Sequence, residues 1–107
     1  MRQATPQVLI ENREVRVTRW TLDTSEETGL HRHGHNYAVV PLADGVMRVA
    51  AVDGSVTAHR LVKGVPYYRE AGAEHNVGNG GEGPLDFVEL ELLREEPGPA
   101  VEGAPRP

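Results

Sequence analysis

Short apolar or alternating runs, separated by glycine, asparagine and aspartate, recur along most of the 107-residue chain. "VRVTRWTL" (15–22) alternates and is rich in branched and aromatic residues, the period-two signature of a strand. "YAVVPL" (37–42) is apolar on both faces, as in a strand buried between two layers. "VMRVAAV" and "SVTAHRLV" flank Asp53-Gly54, and Asp44-Gly45 precedes the first of them. Asp-Gly suits the positive φ angles of tight hairpins, so a turn is expected at both pairs. "GVPYYRE" (64–70) and "LDFVELELL" (85–93) supply two further strands. In the last, alternation predicts Val88, Leu90 and Leu92 toward the core and Glu89 and Glu91 toward solvent. No stretch holds a helical apolar period for two turns. Six to eight short strands predict an all-β sandwich or small barrel.

Composition narrows the classes. A chain of this length holds one domain, expected over residues 1–93. The remainder, 94–107, "REEPGPAVEGAPRP", is rich in proline and glycine with little to bury, and reads as a disordered tail. The net charge of −5, mixed in sign, argues against nucleic acid as a partner. The apolar runs fall far short of the ~20 residues that span a bilayer, so no membrane partner is expected. No charged-then-apolar leader opens the chain, and a cytoplasmic location is the default expectation. The sequence has no cysteine, which excludes disulfides, thiolate zinc sites and cysteine nucleophiles.

Histidine carries the candidate chemistry. Three of the five histidines, His31, His33 and His35, stand at alternate positions in "GLHRHGHNY". Strand periodicity would turn all three imidazoles the same way. His75 follows a turn expected at Ala71-Gly72, and on a neighbouring strand it would face His31 and His33. His59 lies in an alternating polar strand and reads as structural. Two histidines at i and i+2, taken alone, suit a surface strand as well as a metal site.

The two histidine-bearing stretches resemble the two motifs of the cupin superfamily. The first cupin motif runs Gly, five residues, His-x-His, three or four residues, Glu, six residues, Gly; here His31 and His33 fill the histidine slots and Gly45 the closing glycine. The second runs Gly, five residues, Pro-x-Gly, two residues, His, three residues, Asn; here Gly64, Gly72, His75 and Asn79 fall in register, with Glu70 in place of the proline. The resemblance covers residues 15–93 and is similar in texture to small single-domain cupins of β-alanine degradation. It implies a double-stranded β-helix, or jelly-roll, barrel. It also implies a divalent transition metal, Fe(II), Zn(II), Ni(II) or Mn(II), on His31, His33 and His75. Gly72 and Asn79 would shape the loop presenting His75.

Two departures bear on the chemistry. The motif glutamate falls at Tyr37 or Ala38, and the leading glycine at Ser25, although Gly29 lies nearby. Three neutral ligands leave the charge of the ion uncompensated, favouring water or an anionic ligand on its open positions. Tyr37 would complete the set only as a phenolate, and otherwise forms a pocket wall or a hydrogen-bond partner behind the ligands. His35 has ligand parity but no ligand role in the family; it is placed near the pocket mouth, with a metal ligand or a hydrogen-bond partner behind the ligands as the alternative. Trp20, Phe87 and one of Tyr67 and Tyr68 would wall the pocket or fill the core. Arg69 and Arg48 are the candidate anion binders, and Glu70 and Glu74 suit an exposed surface. The resemblance implies a metal-dependent, dioxygenase-like enzyme acting on a small organic anion, or an isomerase or hydrolase on the same ligands. The alternative is a module that binds a metal or small ligand without turnover. A homodimer is expected, with "TPQVLIENREVRV" (5–17) as a shared strand.

Overall fold

The computed structural model describes residues 2–94. The tail expected from residue 94 lies, from 95 onward, outside the described residues. Ten strands follow in order: β1 (Arg2–Gln3), β2 (Gln7–Glu11), β3 (Val15–Leu22), β4 (Glu26–Arg32), β5 (Tyr37–Pro41), β6 (Gly45–Ala51), β7 (Val56–Leu61), β8 (Tyr67–Arg69), β9 (Glu74–Asn79) and β10 (Leu85–Leu92). No helix occurs among the described residues, and none is long and apolar enough to cross a membrane. The all-β expectation holds.

The first sheet has the order β1-β4-β9-β6-β7 and the second β2-β3-β10-β5-β8. The two face each other as a jelly roll without closing into a continuous barrel. Between them Leu22, Val39, Leu85 and Phe87 of the second sheet meet Met47, Leu61 and Val77 of the first. Burying such side chains stabilises by about 1.5–3 kcal/mol each. The polar side chains of Thr18, Thr28, His33, Asn79 and Glu89 are buried as well.

The two Asp-Gly pairs behave differently. Gly54, at φ +90°, closes the β6–β7 hairpin and donates its N–H to the Ala51 carbonyl at 3.0 Å. Asp44-Gly45 forms no hairpin: β5 and β6 belong to different sheets, and Gly45 is not at positive φ. Packing accounts for this glycine, since a Cβ there would lie 2.6 Å from Leu85 Cδ2.

The last strand has the opposite phase to the one expected. Leu85, Phe87 and Glu89 are buried, while Val88 and Leu90 lie half-buried on the outer face and Leu92 is exposed. Cross-strand pairing explains this. β10 lies between β3 and β5, with Phe87 opposite Trp20 and Pro41 and Glu89 opposite Thr18 and Val39, all turned inward. Opposed residues share a face, so the register of both neighbours dictates the phase.

Candidate metal centre

A one-residue irregularity aims the histidines. The β4–β9 register shifts between Glu27 and Leu30, a bulge centred on Gly29 at φ +86°. Glycine takes that angle without the steric cost of a Cβ. The bulge inverts the alternation downstream, leaving Leu30 63% exposed and turning His31 inward opposite His75. Its amide is satisfied, because Gly29 N donates to Asn76 Oδ1 at 3.1 Å.

His33 lies just beyond β4, and the turn before β9 holds it. His33 N donates to the Ala73 carbonyl at 2.9 Å, and Gly72 N donates to the His33 carbonyl at 2.8 Å. Gly72, at φ +107°, makes that turn, as expected. Asn79 acts at the far end of β9 instead, where it accepts from Gly81 N and donates to the Leu22 and Gly83 carbonyls.

His31, His33 and His75 thus converge, each with a ring nitrogen within 4.8 Å of the others. His31 Nε2 and His33 Nε2 are 3.0 Å apart. Two nitrogens each ~2.1 Å from one ion stand roughly this far from each other. His31 Nδ1 lies 2.9 Å from the Gly29 carbonyl, which only accepts, so Nδ1 carries the proton and Nε2 keeps its lone pair. Burial, and then the charges that His31 and His75 would carry, lower His33 to about 4. Burial, followed by His31 and Arg69, lowers His75 to about 4. Near neutral pH both rings are uncharged, the form a metal requires, and this donor set fits a transition ion.

A carboxylate stands beside them that alternation had placed outside. Glu89 is 9% exposed, accepts from Trp20 Nε1 at 2.7 Å through Oε1, and brings Oε2 to 3.5 Å from His33 Nε2. Burial pushes it up to about 7, against the Trp20 hydrogen bond, which favours the carboxylate. Between about 4 and about 7 the His33–Glu89 approach therefore joins two uncharged groups. The signal in the sequence was Phe87: placing that aromatic inward fixes the inward phase for Glu89 as well.

No family model matches the sequence. A protein of Pseudomonas aeruginosa named beta-alanine degradation protein BauB is 48% identical over 90 residues, covering 84% of this chain and 94% of its own length. The crystal structure of a cupin domain from Bordetella pertussis is 40% identical, has a TM-score of 0.80, and covers 85% of this chain and 94% of that one. The chain is a cupin. An RmlC-like cupin with a double-stranded β-helix fold from Methanocaldococcus jannaschii shares the fold at TM-score 0.70 and 15% identity, over 83% of this chain and 79% of its own.

The other expected site residues of this cupin divide by position. Tyr37 stacks on His33, with ring centroids 3.9 Å apart and planes 20° apart, and burial pushes its phenol up to about 12. It is a wall behind the imidazole and is not poised as a phenolate. His35 is absent from the cluster, since β4 ends at Arg32 and residues 33–36 bend toward the other sheet, ending the alternation. Trp20 flanks the site through Glu89, whereas Phe87, at 2% exposure, belongs to the core. Tyr67 turns inward with its hydroxyl toward Met47 Sδ, and Tyr68, 51% exposed, turns out. Arg69 lies on the Tyr67 side of β8, opposite Tyr37, with its guanidinium 4.7 Å from the Tyr67 ring centroid and its side chain exposed. Arg48 is exposed on the outer face, because Met47 and Val49 take the inward phase of β6. Glu70 and Glu74 are exposed, as expected.

Proposed function

We propose that this cupin holds a divalent transition metal on His31, His33 and His75 and binds a small carboxylate-bearing ligand beside it. The convergence of three imidazoles, one with its coordinating lone pair assigned, carries the reading. Three protein donors leave positions on such an ion for a ligand, where it would supply Lewis acidity. Arg69, near enough for its charge to act on His75, is the group that would attract a carboxylate. The relative named for β-alanine degradation supports the same ligand class, since β-alanine is a small carboxylate. A dioxygenase-like activity with iron, or an isomerase or hydrolase activity with zinc, nickel or manganese, is the enzymatic form of this proposal. Pairing of two copies belongs to it too, supported by Val8, Leu9 and Ile10 exposed on β2 at the edge of the second sheet.

Elemental analysis of the purified protein beside a His31→Ala, His75→Ala double variant tests the reading. About one ion per chain is expected in the native protein and none in the variant. Iron would direct oxygen-consumption assays toward small carboxylic acids, and zinc or nickel toward isomerase and hydrolase assays. A native protein that takes up no metal after reconstitution with iron, manganese, nickel or zinc would sink the proposal.

A further inference from the structure

Glu89 brings a carboxyl group into the interior beside His33. It projects from β10 into the interior between Thr18 and Val39, and its Oε1 is engaged by Trp20 Nε1 at 2.7 Å. Its Oε2 lies 3.5 Å from His33 Nε2, too far for an ordinary hydrogen bond. The arginines of β3 are committed elsewhere, Arg16 to Glu91 and Arg19 to Asp86. A carboxylate buried without a cation is costly. The three histidines pose the complementary problem, since neutral donors leave the charge of a divalent ion unbalanced.

We propose that Glu89 supplies, from the last strand, the carboxylate that the first cupin motif lacks, acting as a fourth, charge-balancing donor beside His31, His33 and His75. The inference rests on the metal reading above and goes beyond it in assigning the anionic member of the site. The position at which the motif would have a glutamate holds Tyr37, whose ring covers one face of His33. β10 pairs directly with β5, placing Glu89 opposite Val39, two residues along from Tyr37. The carboxylate therefore approaches His33 from β10, the strand next to that of Tyr37 in the same sheet. Trp20 is the positioning residue: by occupying Oε1 it leaves Oε2 directed at the site.

Calorimetric titration with Mn(II) alone, in the native chain and in Glu89→Gln, His31→Ala and Trp20→Phe variants, tests this. Manganese favours oxygen donors, so loss of a carboxylate should be felt strongly. Glutamine keeps the volume of the side chain and an oxygen for Trp20. The expected result is at least ~10-fold weaker binding in Glu89→Gln, a smaller loss in Trp20→Phe and no binding in His31→Ala. Should Glu89→Gln not fold, Glu89→Asp carries the same test, because it withdraws the oxygen while keeping the charge. Native affinity in the Glu89 variant, with binding abolished in His31→Ala, would overturn the role of Glu89 and leave the histidine site standing. A native chain that binds neither Mn(II) nor Zn(II) would overturn both.

Discussion

The two sheets face the same interior but reach it by different rules. In the first sheet a single added residue at Gly29 decides which side chains turn in: it sends Leu30 to solvent and His31 to the site. In the second sheet alternation runs unbroken along β10, and the register with β3 and β5 selects the phase. That phase puts Val88 and Leu90 outside and Glu89 inside. The first sheet thus spends a backbone irregularity to deliver nitrogen donors, while the second delivers a carboxylate and two aromatic rings on regular strands. A polar residue on an apolar-looking strand can therefore be the inward one when both neighbouring strands demand it.

The largest effect should come from erasing the irregularity. Gly29→Val, whose branched side chain disfavours φ +86°, should straighten the bulge into plain alternation with residue 29 retained, turning Leu30 inward and His31 outward, and Mn(II) binding measured by calorimetry should vanish. Binding at native strength would mean that something other than the bulge sets the histidine face. Next comes the phase of β10. Phe87→Ala should cost about 3–5 kcal/mol in urea unfolding, as for a large buried aromatic. Val88→Ala, on the half-buried outer face, should cost about 1 kcal/mol or less. Equal costs would contradict the inverted phase.

The smallest and most graded contrast is in pH. His33 and His75 have native values lowered to about 4 from 6.5, so the stability they contribute is complete above 6.5 and is lost as pH falls toward 4. Glu89 has a native value raised to about 7 from 4.5, so its contribution is complete below 4.5 and is lost as pH rises through 7. Urea unfolding of metal-free protein between pH 4.5 and 8 should show both trends. Glu89→Gln should abolish the loss on the alkaline side alone, and His75→Asn should lessen the loss on the acid side. A Glu89→Gln profile identical to the native one would contradict the burial of a titrating carboxyl at that position.

Much of this architecture was legible in the residues. The short apolar or alternating runs marked β3, β5, β6, β7 and β10, and the two motif stretches brought His31, His33 and His75 together. What escaped was set by contacts between strands. Gly45 looked like a hairpin glycine, but its neighbour in space is Leu85, forty residues on, and no local pattern reveals that. His35 shared the parity of its neighbours only while the strand lasted, and β4 stops at Arg32. Glu89 looked solvent-facing because Val88, Leu90 and Leu92 seemed to require the core. Arg48 and Arg69 are both exposed arginines on strands, and only the phase of β6 and of β8 separates the one on the outer face from the one on the side of Tyr37 and Tyr67.

The clasp around His33 has a consequence for selectivity. His33 N and Gly72 N each close a backbone hydrogen bond across the two loops, and Ala71 N adds a third tie to Asn36 Oδ1 at 2.8 Å. Loops that would ordinarily adapt to a guest are here tied to each other before one arrives. An ion entering the proposed site would meet a fixed frame, which would admit it by radius and preferred bond angles and would not reshape itself around whichever cation is most abundant.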